Sequence, residues 1–284
     1  MKGLIIKLIG GLYTVKVDGN LIQCKARGKL RHLNVSPKVG DIVELNDDFI
    51  LDIDERKNEL VRPPISNVDQ AFVVFSCIEP KLSFSLLDRF MSLITYNNIE
   101  VILIITKMDL LNEDETTDFK KQMEYYESFI KVVYTASLDG EGLDGVTELI
   151  KDKISVLAGQ SGVGKSTLLN QMTGLDIKTQ EISKALGRGK HTTRHIELIE
   201  VDDGLVADTA GFSSLDFLDM DEVALSHSFT DFFELSHDCK FRGCLHLNEP
   251  KCKVKEEVEN GKIPKSRYDN YVQFIEEIKD NKRY

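Results

Sequence analysis

The chain has 284 residues, enough for two domains or for one domain with smaller attachments. Its composition, 42% hydrophobic and 29% charged, suits a soluble globular protein and argues against long disorder. No apolar stretch approaches the ~20 residues that span a bilayer, and a net charge of −11 argues against a protein that coats nucleic acid with its whole surface. We therefore expect a cytoplasmic protein that binds neither membrane nor DNA, with a monomer as the default.

The first 65 residues alternate apolar and polar positions, as in Tyr13–Val17 and Asp41–Leu45. This period of two indicates several short strands, and a small barrel is their natural closure. The stretch from Cys24 to Gly40 contains no acidic residue, although the whole chain is acidic. It is either a cationic binding loop or an ordinary solvated loop. Its basic residues are Lys25, Arg27, Lys29, Arg31 and Lys38.

After Pro63-Pro64 the pattern changes to apolar runs separated by helical segments. The runs at 71–76, 101–105, 131–135 and 154–158 indicate a parallel sheet covered by helices on both faces. From about residue 221 a predicted helix (222–235) leads into a Cys/His-rich loop and a final helix that includes 271–278. We therefore predict three domains, at 1–65, 66–220 and 221–284.

The strongest motif is a P-loop, Gly-Gln-Ser-Gly-Val-Gly-Lys-Ser, at 159–166. A strand precedes it and a helix follows it, so its backbone N–H groups would surround phosphates at a helix N-terminus. In such a loop Lys165 reaches the β- and γ-phosphates, and the Ser166 hydroxyl is a ligand of Mg²⁺. The motif alone does not distinguish ATP from GTP.

The tetrapeptide Thr106-Lys-Met-Asp109 follows the apolar run 101–105 and resembles the Asn/Thr-Lys-x-Asp motif of GTPases. The Asp109 carboxylate would accept hydrogen bonds from the ring N–H and the exocyclic amine of guanine, a donor pair that adenine lacks. Alone, the tetrapeptide also fits an ordinary turn after a strand. Thr135-Ala136-Ser137, after the next strand, resembles the companion loop whose backbone N–H contacts guanine O6.

Two further segments resemble the γ-phosphate-sensing switches of GTPases. Switch I is Gly187–Arg194, where Thr193 or Thr192 would complete the Mg²⁺ shell, and switch II is Asp208-Thr-Ala-Gly211. Asp208 would hold Mg²⁺ through water, and the Gly211 N–H would meet the γ-phosphate. The alternative is a basic hairpin loop followed by a turn.

The residue after the switch II glycine is Phe212, whereas many GTPases have a glutamine there that orients the attacking water. We therefore expect slow basal hydrolysis. His191, inside switch I, is the candidate for the missing group, against the alternative of an exposed polar histidine. Some GTPases recruit potassium through an asparagine of the P-loop. The corresponding residue here is Gly162, which argues against this route.

The last motif is Cys239-x4-Cys244-x-His246-x5-Cys252. Three thiolates and one imidazole suit a closed, tetrahedral, structural zinc site. His237 is a competing ligand, and reduced structural thiols are the alternative.

The motif order is rotated, because ordinary GTPases begin with the P-loop and here the guanine motif comes first. With the N-terminal barrel and the C-terminal Cys/His module, the chain resembles the ribosome small subunit-dependent GTPase A family (RsgA, also called YjeQ or YloQ). The resemblance covers essentially the whole chain, including Gly189–Arg194. It departs at Ala210, where the family usually has proline, and we expect this change to loosen switch II slightly.

The resemblance implies a multi-domain fold: an all-β OB-fold barrel that binds RNA, a central circularly permuted α/β P-loop GTPase domain and a mainly helical zinc-binding domain. It implies hydrolysis of GTP to GDP and phosphate, stimulated by the 30S subunit during its late maturation. The 30S subunit, its 16S rRNA and other 30S assembly factors are the expected partners, and GTP/GDP, Mg²⁺ and Zn²⁺ the expected cofactors.

The predicted site residues fall into three groups. The catalytic residues are His191, Lys165 and Thr193. The nucleotide-binding residues are Thr106, Lys107, Asp109, Ala136, Ser137, Gly159, Gln160, Ser161, Gly162, Val163, Gly164, Lys165, Ser166, Thr167, Asp208 and Gly211. The metal ligands are Cys239, Cys244, His246 and Cys252 for zinc, and Ser166 and Thr193 for magnesium. Two rivals remain, a P-loop ATPase or small-molecule kinase and a zinc-stabilised RNA-binding module with a vestigial nucleotide site.

Overall fold

The computed structural model describes residues 1–28, 36–61, 63–136, 140–174, 196–208, 215–217 and 219–282, and for Asp208 the backbone alone. The chain forms two compact units, each described by itself below. The first unit contains Met1–Phe72, Asp139–Ala158 and Gly164–Ser213, and the second contains Val73–Leu138, Gly159–Val163 and Ser214–Tyr284. The division into domains at 1–65, 66–220 and 221–284 stays a prediction.

A closed five-stranded barrel begins the first unit and confirms the predicted N-terminal barrel. Its strands lie in the order β1-β2-β3-β5-β4, and β4 pairs back onto β1. The period-two pattern of the sequence explains this barrel, because successive side chains of a strand point to opposite faces of the sheet. Apolar side chains at alternate positions, such as Val15, Val43 and Ile50, are buried. The strands are β1 (Lys2–Ile9), β2 (Leu12–Val17), β3 (Asn20–Ala26), β4 (Ile42–Asn46) and β5 (Phe49–Ile53).

Three more strands extend this sheet beyond the barrel. Strand β12 (Ile196–Val201) pairs antiparallel with β1, with Leu8 opposite Ile196, and antiparallel with β13 (Gly204–Asp208) on its other side. Strand β13 is parallel to β11 (Ile154–Ala158). The unit also contains the short strands and helices β6 (Glu59–Leu60), β7 (Ile65–Ser66), α3 (Leu143–Ile150) and α4 (Lys165–Thr173).

In the second unit the strand order is β10-β9-β8, and the β9–β10 pair is parallel, as predicted. Strand β8 begins in the first unit, since it spans Gln70–Ser76. The other elements of this sheet region are β9 (Glu100–Thr106), β10 (Lys131–Tyr134), α1 (Phe84–Tyr96) and α2 (Glu113–Glu127). A capping box starts α2: the Asn112 side chain accepts from the Glu115 N–H, and Glu115 accepts from the Asn112 N–H.

The C-terminal helices of the second unit surround an aromatic core that includes Phe217, Phe229, Phe232, Tyr271 and Phe274. The predicted helix 222–235 is two helices, because the chain breaks at Phe229, whose backbone leaves the helical region. The last helix is longer than predicted, since Pro264 precedes a first turn that begins at Lys265. The helices are α5 (Glu222–Ser228), α6 (Thr230–Ser236), α7 (Lys253–Glu259) and α8 (Lys265–Asn281).

A buried ion network ties α8 to α1 and α6. The Arg267 guanidinium is 1% exposed and donates to Asp88 at 2.5 Å and to Asp231 at 2.6 Å. Asp88 also accepts from Tyr126 and from Asn270. Every charge in this network is paired, as a buried charge requires.

Candidate functional site

The P-loop backbone depends on glycine at its first position. Gly159 has a φ of 139°, and a Cβ there would lie 2.2 Å from the carbonyl oxygen of Val74. No other residue fits this position without movement of β8. Gly162 and Gly164 also have positive φ, at 84° and 100°. The sequence pattern therefore corresponds to a loop whose shape requires glycine.

Helix α4 begins at Lys165, directly after the loop. Its N-cap residue is Gly164, which has no side chain to accept from the first-turn N–H groups. An anion is the natural partner of such a helix terminus. Lys165 and Ser166 are half-buried, Val163 is buried, and Gln160, Ser161 and Thr167 are exposed.

The predicted guanine motif is bonded to the P-loop within the second unit. Thr106 is 2% exposed, and its hydroxyl lies 2.6 Å from the Val163 carbonyl oxygen and 3.2 Å from that of Phe75. Lys107 donates from Nζ to the Gly162 carbonyl at 3.1 Å and to the Glu79 carbonyl. The predicted guanine motif and the P-loop are therefore held together by side chains of the motif itself.

The motif's first residues also fix the turn that carries Asp109. Lys107 has a left-handed backbone (φ 66°) and precedes a single 3₁₀ turn, Met108–Leu110, in which Asp109 is half-buried. The Cys77 thiol donates to the Lys107 carbonyl at 3.1 Å, and burial raises the pKa of Cys77. Cys77 is thus a neutral donor that supports the motif, a role the sequence does not reveal.

The Thr-Ala-Ser loop lies beside the guanine motif. The Thr135 N–H donates to the Ile105 carbonyl at 2.7 Å, and the Met108 N–H donates to the Thr135 carbonyl at 3.2 Å. Ala136 is buried, and Ser137 lies outside the described residues. The parallel pairing of β9 and β10 brings these two sequence motifs to the same sheet edge.

The predicted switch II motif starts where β13 ends. In the parallel β11–β13 pair, Asp208 lies opposite Leu157, one residue before the end of β11. Both strands therefore end at one edge, where β11 leads into the P-loop. The remaining predicted switch residues, Thr192, Thr193, His191, Gly211 and Phe212, lie outside the described residues, as does Ala210.

The Cys/His motif forms a compact four-ligand cluster. The ligand atoms of Cys239, Cys244, His246 and Cys252 all lie within 4.8 Å of one another. His246 Nδ1 is 3.3 Å from Cys252 Sγ and 3.8 Å from Cys239 Sγ, and those two sulfurs are 3.9 Å apart. A tetrahedron with Zn–S bonds of 2.3 Å has S–S edges of about 3.8 Å. The donor set and its spacing fit Zn²⁺.

The pKa shifts of the cluster residues also fit a bound cation. Burial lowers the pKa of His246 to about 4, which keeps the imidazole in the neutral form that binds metals. Burial raises the pKa of Cys244 and of Cys252, so a divalent cation is what would make these thiols ionise. His237 is outside the cluster, and its ring lies against Phe233.

Neighbouring side chains hold the cluster loop. His246 has a left-handed backbone (φ 58°), and its carbonyl accepts from the Tyr268 hydroxyl at 2.7 Å. Tyr271 donates to the Leu245 carbonyl at 2.8 Å, and the Lys253 N–H donates to Cys239 Sγ at 3.3 Å. Two tyrosine hydroxyls of helix α8 therefore fix the backbone of the cluster loop.

Comparison with known proteins decides the family. Family models match residues 53–218 as RsgA GTPase and residues 2–49 as RsgA N-terminal domain. The chain belongs to the RsgA GTPase family. Small ribosomal subunit biogenesis GTPase RsgA of Halalkalibacterium halodurans is 50% identical over 285 residues, covering 98% of this chain and 97% of the relative. The protein of the same name from Bacillus subtilis is 49% identical over 293 residues, covering 99% and 98%.

Two solved structures extend the likeness to the whole fold. YloQ, a circularly permuted GTPase, matches with a TM-score of 0.84 and 45% identity, covering 98% of this chain and 95% of that one. YjeQ from Thermotoga maritima matches with a TM-score of 0.85 and 36% identity, covering 98% of both. The circularly permuted fold with its OB-like barrel is confirmed, and so is the class of enzyme, a GTP hydrolase.

Family membership implies GTP or GDP and Mg²⁺ as ligands, and it argues against the ATPase or kinase alternative. Among the described residues, no helix combines the length and the apolar character that crossing a bilayer needs.

Proposed function

We propose that this chain hydrolyses GTP to GDP and phosphate as a late maturation factor of the small ribosomal subunit, that the subunit stimulates the reaction, and that the chain binds 16S rRNA. The support is its similarity to relatives that are named small ribosomal subunit biogenesis GTPase RsgA, which are 50% and 49% identical to it over nearly the whole chain. We further propose that it acts as a monomer in the cytoplasm, beside other 30S assembly factors.

One observation carries the nucleotide part of the proposal, namely the bonds from Thr106 and Lys107 to the carbonyls of Val163 and Gly162. A base-reading carboxylate discriminates only if it stands at a fixed place relative to the phosphate site. These bonds fix the turn that carries Asp109 relative to the P-loop. They support the proposal that Asp109 binds the guanine base, with Ala136 and Ser137 in the loop whose backbone N–H contacts guanine O6.

We assign the phosphates to the backbone of Gly159–Gly164 and to Lys165, Ser166 and Thr167. Mg²⁺ would be held by Ser166, by Thr193 or Thr192 and, through water, by Asp208; hydroxyl and carboxylate oxygens are ligands this hard cation prefers. When bound, it supplies positive charge to the phosphate oxygens.

In the proposed reaction water attacks the γ-phosphorus, and GDP leaves with its β-phosphate oxygen. Lys165 and the loop N–H groups offset the charge that develops on the phosphate oxygens. Gly211 senses the γ-phosphate through its N–H, and His191 orients the water. Phe212 has no hydrogen-bonding group to do so, which supports slow hydrolysis until the partner binds.

The cationic segment from Cys24 to Gly40, which begins within the last residues of β3, is the proposed contact for rRNA phosphates. Lys25 and Arg27 are exposed, whereas Lys38 is half-buried and pairs with Glu59 at 3.3 Å and with the Leu60 carbonyl at 3.2 Å. Lys29 and Arg31 lie outside the described residues. The proposal therefore rests on Lys25, Arg27, Lys29 and Arg31 more than on Lys38.

The test is GTP turnover with and without purified small subunits, repeated with His191→Ala. We expect the subunits to raise turnover of the native chain by at least about tenfold, the scale of a supplied catalytic group. We expect His191→Ala to lose most of that increase. No increase in the native chain would contradict the ribosomal assignment, and an unchanged increase in the variant would contradict the role of His191 alone.

A further inference from the structure

A single peptide unit of the predicted guanine motif, between Lys107 and Met108, is held at both of its polar ends. Its carbonyl oxygen, on Lys107, accepts from the Cys77 thiol, with the sulfur 3.1 Å away. Its N–H, on Met108, donates to the Thr135 carbonyl at 3.2 Å. Cys77 follows β8 and Thr135 follows β10, so the ends of the two strands that flank β9 fix this peptide unit.

The same carbonyl oxygen closes the turn that carries Asp109. The Leu110 N–H donates to the Lys107 carbonyl at 3.0 Å, which is the hydrogen bond of the 3₁₀ turn. A carbonyl oxygen has two lone pairs and accepts from the thiol and the N–H together. Asp109 is two residues after Lys107, a reach of at most about 7 Å along the chain. The orientation of this carbonyl therefore restricts where the Asp109 carboxylate can stand.

The backbone at Lys107 requires support from its surroundings. Its φ of 66° and ψ of 28° are left-handed, a conformation that a residue with a side chain adopts only when the neighbouring structure imposes it. The Cys77 backbone contributes as well, because its N–H donates to the Thr106 carbonyl at 3.2 Å. Cys77 thus binds two successive carbonyls of the motif. Without the thiol, the Lys107–Met108 peptide unit would be freer to rotate toward an ordinary backbone conformation.

The Cys77 thiol stays in the form that donates. The residue is 8% exposed, burial raises the pKa of its thiol, and the charge of Asp109 raises that pKa further. A protonated thiol is a hydrogen-bond donor, whereas a thiolate is not. The role of the thiol can be separated from its volume by substitution. Serine keeps a donor, whereas alanine and valine lack one and change the volume of the side chain in opposite directions.

We propose that Cys77 is a positioning residue for guanine recognition, which fixes the Asp109 turn by holding the Lys107 carbonyl. The inference rests on the proposed role of Asp109 in binding the guanine base. Recognition by a carboxylate requires a fixed placement, because a displaced carboxylate no longer meets both donors of guanine. Loss of the thiol should therefore lower the preference for guanine more than it lowers the affinity for nucleotides in general.

A purely structural role for Cys77 predicts a different result. If the side chain only fills space beside the motif, its replacement would lower the unfolding midpoint, and the affinities for all nucleotides would fall together. Inosine diphosphate (IDP) separates the two roles, because hypoxanthine keeps the ring N–H and the O6 of guanine and lacks the exocyclic amine. The ratio of Kd for IDP to Kd for GDP therefore reports on the contact between the carboxylate and that amine.

The experiment measures Kd for GDP, Kd for IDP and the unfolding midpoint of the full chain and of Cys77→Ala, Cys77→Val and Cys77→Ser. The matched control is Cys24→Ala, because Cys24 is a buried thiol that donates to the Tyr13 carbonyl of the barrel at 3.7 Å. Alanine is the smaller of the two changes that remove the donor, so the test remains available if Cys77→Val does not fold.

For the native chain we expect Kd for IDP to exceed Kd for GDP by at least about tenfold. Cys77→Ala and Cys77→Val should each lower this ratio by about threefold or more, since each removes one hydrogen bond. Cys77→Ser should keep the ratio within about twofold of the native value, and Cys24→Ala should leave it unchanged. A native ratio in Cys77→Ala or in Cys77→Val, or an equal loss in Cys77→Ser, would overturn the inference.

A separate variant, Asp109→Asn, tests the role of Asp109 on which the inference rests. A native ratio near one, or a ratio that Asp109→Asn leaves unchanged, would remove the role of Asp109 and the inference with it. A high native ratio that falls in Asp109→Asn but not in Cys77→Ala would remove the inference and leave the role of Asp109 standing.

Discussion

Lys107 donates from Nζ to the carbonyl oxygen of Gly162 at 3.1 Å, across 55 residues of chain. The lysine follows the strand that ends in the guanine motif, and the glycine belongs to the phosphate-binding loop. The order of these motifs in the sequence is rotated, but this bond joins them directly. A side chain of the predicted guanine motif is therefore bonded to the backbone of the P-loop.

Replacing Lys107 should weaken nucleotide binding without unfolding the chain. Lys107→Met keeps the aliphatic part of the side chain and removes the donor to the Gly162 and Glu79 carbonyls. We expect a loss of ~1–2 kcal/mol, or roughly 5- to 30-fold in Kd for GDP. Titration of fluorescent GDP measures it. Lys120→Met is the control, since Lys120 faces Tyr134; equal losses in both variants would argue against the specific role of Lys107.

The hydroxyl group of Thr106 should contribute more to the free energy of unfolding than its methyl group does. Thr106→Val leaves the buried carbonyls of Val163 and Phe75 without this donor, whereas Thr106→Ser keeps it. We expect Thr106→Val to lower the free energy of unfolding by ~1–2 kcal/mol and Thr106→Ser to cost about half as much or less. Denaturant titration of both variants measures this. A loss for Thr106→Ser as large as or larger than the loss for Thr106→Val would contradict this, because serine keeps the hydroxyl and lacks only the methyl group.

The four-ligand cluster should hold one zinc ion per chain. Cys252→Ser removes one thiolate of the set, so we expect less than one zinc per purified chain and a lower unfolding midpoint. Metal analysis with thermal unfolding measures both. Cys24→Ala is the matched control, because Cys24 is a buried thiol of the barrel that donates to the Tyr13 carbonyl. Full zinc occupancy in Cys252→Ser would contradict the assigned ligand set.

The buried ion pairs of Arg267 should cost much more to break than an exposed ion pair on the same helix. Arg267→Met leaves Asp88 and Asp231 buried without their cation, and we expect a loss of ~3–5 kcal/mol in the free energy of unfolding. Lys265→Ala breaks a pair with Asp269 on the same helix whose side chains are 78% and 53% exposed, and should cost less than ~1 kcal/mol. Denaturant unfolding compares the two; similar losses would show that the network does not fix α8.

Much of the fold and of the candidate site can be predicted from short stretches of sequence. The alternation of apolar and polar residues predicts the barrel, and the glycine pattern predicts the loop in which Gly159 faces the Val74 carbonyl. Soft ligands at short spacing predict the metal cluster. Contacts across long stretches of chain are not predictable this way, because nothing local marks them. The Leu215 carbonyl accepts a hydrogen bond from Arg89, which lies 126 residues earlier, and β12 pairs with β1, although the two strands are far apart in the sequence. The roles of His191, Thr193 and Gly211 stay predictions.

The nucleotide preference of an Asp109→Asn variant tests the role of Asp109 in guanine recognition. Guanine offers two donors to a carboxylate, whereas xanthine carries a carbonyl in place of the exocyclic amine and suits the amide of asparagine. We predict that the native chain binds GDP at least about a hundredfold more tightly than xanthosine diphosphate (XDP) or ADP, and that Asp109→Asn reverses the preference toward XDP. An Asp109→Asn variant that still prefers GDP over XDP would show that Asp109 does not bind the guanine base.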